Sequence, residues 1–152
     1  MRKLAILTLS ALALVFLGIQ LVPVERNNPP VEAEVPASDE VRSILSRACY
    51  DCHSHETRWP WYSGIAPVSW LVAHDVHEGR EKLNFSTWNR LSTMKQVEAL
   101  HESWEEVEEG EMPPGFYLPP HPDARLSARE RAALRKWSFA AVSGRGQHSD
   151  DD

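Results

Sequence analysis

The sequence predicts an all-α domain set behind a separate apolar helix at the amino terminus. Three observations carry that expectation. Apolar residues recur at helical spacing in several stretches after residue 37, no stretch alternates apolar and polar residues as a half-buried strand would, and residues 4–24 are almost continuously apolar. With 152 residues in all, what remains after that leader is one small domain.

The leader runs from Leu4 to Val24 behind Arg2 and Lys3, interrupted only by Thr8, Ser10, Gly18, Gln20 and Pro23. About 20 apolar residues suffice to cross a bilayer as a helix. The run ends in Val22-Pro23-Val24-Glu25 without a small-x-small cleavage signal or a lipobox cysteine, so residues 1–24 read as an uncleaved anchor in preference to a cleaved signal sequence. The positive-inside rule puts Arg2 and Lys3 in the cytoplasm and sends everything after Val24 across the membrane. Residues 25–37 carry Pro29, Pro30 and Pro36 among acidic and polar residues and read as a semi-rigid linker that holds the domain off the membrane.

The domain itself spans residues 38–143. Ser38 suits the cap of a helix in which Val41, Ile44, Leu45 and Ala48 form one apolar stripe. A second helix is expected from Pro67 to Lys82, with Leu71 and Val72 among its apolar residues. A third, from Ser92 to Glu109, puts Met94, Val97, His101, Trp104 and Val107 on one face and stops at Gly110. Ser127-Ala128-Arg129-Glu130 is a capping box that opens a last helix with Leu134, Trp137 and Ala141 on one side. The first and last of these stripes should pack together. Residues 144–152 are polar and read as a disordered tail in which His148 is solvated.

The formal net charge of −6 and pI near 5.6 argue against nucleic acid as a partner, since phosphate binding needs a basic face. The two cysteines are three positions apart, too close for a disulfide between them to stabilise much. Their value is chemical. Cys49-Tyr50-Asp51-Cys52-His53 is C-x-x-C-H, the attachment sequence of c-type haem. Two thiols so spaced can each add to one of the two vinyl groups on a haem edge, which puts the next residue, His53, under the iron. A redox dithiol would want a strand and helix around the pair, and a zinc site would want two more ligands nearby. The sequence offers neither.

A sixth iron ligand is expected in Gly110-Glu111-Met112-Pro113-Pro114-Gly115, where two prolines stiffen the chain around a thioether. Met112 opposite His53 would favour the reduced iron. The ordinary role of a methionine is to fill a gap in the core. His74 and His77, one turn apart on the second helix, are the rival ligands, with His101 and His121 behind them, and an open sixth position is the third alternative.

The stretch from Arg47 to Ser63, with its Trp59-Pro60-Trp61-Tyr62 insertion, resembles the bacterial haem-binding domain family of small c-type cytochromes. Ile65-Ala66-Pro67-Val68-Ser69-Trp70, His74-Asp75-Val76, Gly79-Arg80, Leu83-Asn84-Phe85-Ser86-Thr87-Trp88 and Gly110-Glu111-Met112-Pro113-Pro114 are similar to it as well. The resemblance implies a cytochrome c-like helical domain around one covalently bound haem c at Cys49 and Cys52, exported or anchored on the periplasmic side of the bacterial inner membrane. In related cytochromes a backbone carbonyl fixes the proximal histidine, and Ala66 or Pro67 is expected to supply it here. The aromatic insertion either covers the porphyrin or forms a local core of its own.

The leading expectation is an electron carrier, not an enzyme, whose iron alternates between ferrous and ferric while periplasmic or membrane redox proteins exchange electrons with it. A haem enzyme of peroxidase type, or a gas or redox sensor, follows if the sixth position is open. A haem-stabilised interaction module is a third possibility. The acidic run Glu98, Glu102, Glu105, Glu106, Glu108, Glu109 and Glu111 reads first as a solvated helix face and second as a docking patch for a basic partner.

Overall fold

The structure is a computed structural model that describes residues 1–143, with side chains to residue 140. The tail 144–152, His148 and the side chain of Ala141 lie outside the described residues. The regular elements among those described are helices: α1 (Arg2–Ile19), α2 (Asp39–Ala48), α3 (Tyr50–His53), α4 (Val68–Lys82), α5 (Thr93–Glu109) and α6 (Ala128–Ser143). Short 3-10 turns at Trp61–Gly64, Trp88–Arg90 and Pro122–Ala124 shape the connections.

Local signals start and stop these helices where the side chains require. The Ser38 hydroxyl accepts from the Val41 backbone N–H and caps α2, whose stripe Val41, Ile44, Leu45 and Ala48 is buried. Ser92 caps α5 in the same way, and Gly110, at φ 83°, ends it in the left-handed conformation that glycine adopts without a Cβ penalty. At α6 the capping box closes in both directions: Glu130 N–H donates to the Ser127 hydroxyl, and Ser127 N–H donates to the Glu130 carboxylate at 2.8 Å.

α6 lies on α5 and on α2, α2 leads into α3, and α3 rests on α4. Inside this arrangement Ile44, Leu45, Tyr50, Phe85, Trp88, Leu100, Trp104, Val107 and Leu134 form one core. Tyr50, Phe85 and Trp88 stack in series, with ring centroids 5.7 and 6.2 Å apart.

Two sequence expectations need correction. On α5 the buried residues are Leu100, Trp104 and Val107, whereas Met94 and His101 are exposed. Successive residues on a helix are about 100° apart, so a stripe counted through His101 lies one position off the stripe through Leu100, and both include Trp104 and Val107. The second correction concerns the linker. Residues 28–37 lie on the domain and do not bridge solvent. Val35 is 1% exposed within the core, Ala33 pairs with Thr87 in an isolated parallel bridge, and Trp88 N–H donates to the Ala33 carbonyl. The prolines suit this role: lacking an N–H, they still offer carbonyls, and Pro30 and Pro36 accept from His55 Nδ1 and Trp137 Nε1.

Candidate functional site

The C-x-x-C-H segment is the junction of two helices. Cys49 ends α2 with its N–H bonded to the Leu45 carbonyl, and its own carbonyl receives His53 N–H at 2.9 Å, so α3 is one tight turn carrying Cys52 and His53. This turn is pressed against α4. A Cβ on Gly79 would sit 2.7 Å from the Cys52 carbonyl oxygen, so only glycine lets the two helices come this close.

That approach fixes His53. Its Nδ1 lies 2.9 Å from the Gly79 carbonyl and 3.1 Å from the Leu83 carbonyl at the end of α4. Both partners are acceptors, so Nδ1 carries the proton and Nε2 keeps its lone pair. Burial lowers the pKa of the ring and favours the neutral form, while the two carbonyl bonds act in the opposite direction. A neutral imidazole held through Nδ1–H is the form that binds a metal through Nε2. The expected carbonyl acceptors, Ala66 and Pro67, are not the partners. The Ala66 carbonyl instead accepts from Gln20 at 3.1 Å.

Cys49, Cys52 and His53 line a cavity of about 170 Å³ whose walls also include Gly79 and Met112. Met112 arrives there from α5. Beyond Gly110, the N–H groups of Glu111 and Met112 both donate to the Glu106 carbonyl, which turns the chain back toward α3. The Met112–Pro113 peptide is cis. A second cavity of about 200 Å³ adjoins the first and shares Asp51, Cys52, Asp75, Phe116 and Tyr117 with it. Its far side is largely apolar, with Val68, Leu71 and Val72 from α4.

Polar bonds hold the rim. Asp51 accepts from Arg58 through both carboxylate oxygens and from the Tyr117 hydroxyl at 2.8 Å. Burial and then the Asp51 bond raise the Tyr117 pKa, so the phenol remains a donor. Tyr117 stacks on His121 at 4.0 Å, and His121 Nε2 lies 3.1 Å from the Tyr62 hydroxyl. Arg80 Nε donates to the Ser54 carbonyl at 2.7 Å, and its other nitrogens reach Thr57, Asn27 and Asn28. The loop after His53 is thereby tied to the linker.

Of the rival histidines, His121 lines the second cavity, where its Nδ1 donates to the Tyr117 carbonyl at 3.0 Å, and the others lie elsewhere. His74 and His77 are exposed on α4, and His77 pairs with Glu81 at 3.2 Å. His101 pairs with Glu105 on the exposed face of α5, and both ring nitrogens of His55 are hydrogen-bonded. The glutamates of α5 and Glu111 are exposed. Of the aromatic insertion, Trp59 donates to Asn28, Tyr62 faces the second cavity and Trp61 stands in solvent. Trp61 packs edge-on against Tyr62, ring centroids 5.7 Å apart.

Both thiols are free. Burial pushes Cys49 up to about 12 and Cys52 to about 11, with the charge of the other thiol adding at Cys49 and that of Asp51 at Cys52. A redox dithiol needs the opposite shift. Among the described residues no three His, Cys, Asp or Glu side chains converge as a metal-ion site would require. The donor set suits a haem instead: two thiols, an imidazole with a free Nε2 and a thioether on one cavity.

Gly79, Leu83 and Tyr117 carry much of this geometry, and sequence reasoning gave none of them a part in it. Gly79 and Leu83 stand in stretches that carry the family resemblance, and Gly79 gives a physical signal as well, being a glycine in a helix interior that costs about 1 kcal/mol against alanine and so calls for a packing reason.

A family described as the haem-binding domain matches residues 14–140. No curated protein and no solved structure matches the chain.

Proposed function

The chain belongs to the haem-binding domain family, and from that premise we propose that it is a single-haem c-type cytochrome that carries electrons on the periplasmic side of the bacterial inner membrane. In this reading Cys49 and Cys52 would hold the haem through thioethers, and His53 Nε2 and Met112 Sδ would hold its iron. The observation that carries it is that Met112 lines the same cavity as both cysteines and His53, while His74 and His77 do not. The bound group would supply one-electron chemistry, its iron alternating between ferrous and ferric.

The protein's own residues do the rest. The Gly79 and Leu83 carbonyls hold the imidazole so that its orientation need not change between the two states. The Glu106 carbonyl and the prolines after Met112 restrain the thioether. Two retained ligands leave no position for a substrate, which suits a carrier better than an enzyme. α1, apolar and without a buried residue, supports a membrane anchor, and redox proteins of the periplasm or membrane are the partners.

The test is the optical spectrum of the oxidised full chain with and without Met112→Ala. A near-infrared charge-transfer band of sulfur-ligated ferric haem that disappears on replacement supports His53 and Met112 as the two protein ligands. A high-spin spectrum of the unaltered protein that shifts with cyanide overturns it in favour of an open-site enzyme or sensor. A low-spin spectrum unaffected by the replacement overturns it in favour of a histidine.

A further inference from the structure

α1 covers 18 residues, which at 1.5 Å per residue is about 27 Å, close to the hydrocarbon thickness of a bilayer at about 30 Å. Directly after it, Gln20 is bonded to the domain. Its side-chain amide donates to the Ala66 carbonyl at 3.1 Å, and its side-chain oxygen accepts from Ala66 N–H at 2.9 Å. A few residues on, Arg26 reaches the Ser63 hydroxyl at 3.5 Å. No slack separates the membrane helix from the corner where the Trp61–Gly64 turn meets α4. If α1 spans the bilayer, Ala66 is at its surface.

The side chains around Ala66 suit that position. Trp61 is 81% exposed, Ile65 40% and Trp70 38%, and neither Ile65 nor Trp70 borders the two cavities of the candidate site. Val68 and Leu71 are also exposed, but they line the second cavity and belong to that site. Tryptophan favours the headgroup level, where its ring is shielded and its N–H stays hydrated. An exposed apolar cluster in a small domain calls for a covering surface, and here one lies within two hydrogen bonds.

We propose that the corner formed by Trp61, Ile65 and Trp70 rests in the interfacial layer of the bilayer that α1 crosses, docking the domain flat on the membrane instead of leaving it on a free tether. This rests on the reading of α1 as a membrane span. Tyr62 and Val68 of the same corner line the second cavity, so docking brings the haem site close to the membrane surface and to partners embedded there.

The test uses the full-length holoprotein in vesicles of phosphatidylcholine and phosphatidylglycerol, with photoreactive p-benzoylphenylalanine replacing one residue at a time at Trp61, Trp70, Leu12 in α1 and Met94 on α5. After irradiation, mass spectrometry reads lipid adducts. Adducts at positions 12, 61 and 70 and none at 94 are expected. Adducts at 12 without any at 61 and 70 overturn the docking and leave the anchor standing. No adduct at 12 overturns both. Cross-links from 61 or 70 to protein in place of lipid overturn the docking in favour of a protein partner.

Discussion

A Cβ on Gly79 would lie 2.7 Å from the carbonyl oxygen of Cys52, so the helix that fixes His53 and the turn that carries the cysteines touch backbone to backbone. The obstacle is a carbonyl inside a hydrogen-bonded turn and cannot swing aside as a flexible side chain would. Gly79→Ala gains about 1 kcal/mol in helix propensity and loses about 1–3 kcal/mol to overpacking, with backbone contact favouring the upper part of that range. The substitution should destabilise the fold and pull the Gly79 and Leu83 carbonyls away from Nδ1. Covalent haem content and thermal midpoint should both fall. Unchanged values for both would show that α4 shifts without cost and that the close approach is dispensable.

Tyr117 joins the loop that follows Met112 to Asp51, a residue inside the C-x-x-C-H motif. Tyr117→Phe leaves that carboxylate with Arg58 and costs about 1 kcal/mol for the lost bond. Haem attachment should survive, because neither cysteine nor His53 depends on Tyr117. Met112 should be displaced more readily, and cyanide should bind the ferric protein faster than it binds the parent. An unchanged cyanide rate would mean that Glu106 and the prolines hold Met112 unaided.

Glu130 links the capping box to Arg47, the residue two positions before Cys49. Its pKa is held below the ordinary 4.5 by the Ser127 N–H first, then by the Ser127 hydroxyl and by Arg47. A depressed carboxylate stabilises the fold above its unfolded pKa. That stability is lost as pH falls from about the ordinary value through the lower folded one. Glu130→Gln keeps the cap acceptor but removes the charge that faces Arg47 and the helix N-terminus, so it should cost about 0.3–1 kcal/mol near neutral pH. Its denaturation midpoint should converge on that of the parent as both are taken to acid. A gap of constant size down to low pH would assign the cost to shape and not to charge.

What could be read from the sequence depended on how local each signal is. The α2 stripe, the Ser38 and Ser92 caps, the Ser127–Glu130 box and the Gly110 stop are all decided by residues within one or two turns of each other. The C-x-x-C-H motif is contiguous, and Met112 stands out because prolines follow it directly. The acceptors of His53 could not be found in this way, since a carbonyl belongs to every residue and only the contact at Gly79 selects Gly79 and Leu83. The α5 face slipped by one position because two overlapping stripes satisfy the same spacing, and packing against α6 chooses between them. Proline content suggested a spacer, but Val35 and the unpaired backbone groups of residues 32 and 33 found partners in the Ser86–Trp88 segment.

That last difference yields a test of where the domain begins. Val35 is buried in the same core as Leu45 and Phe85, and Val35→Ala should cost about 2 kcal/mol in lost burial and residual cavity. A chain beginning at Ser38 loses more than that side chain. It also lacks the Ala33 pairing with Thr87, the Pro36 acceptor of Trp137, and the Asn27 and Asn28 partners of Arg80, which steadies the loop after His53. A chain beginning at Glu25 keeps all of these and sheds only the apolar helix and its exit. Compared by denaturant unfolding, the chain from residue 25 should fold and take up haem, and the chain from residue 38 should be far less stable with little attached haem. Equal stability of the two would return residues 25–37 to the role of a spacer. A stable chain from 38 that fails to acquire haem would instead confine their effect to the Arg80 contacts beside the motif.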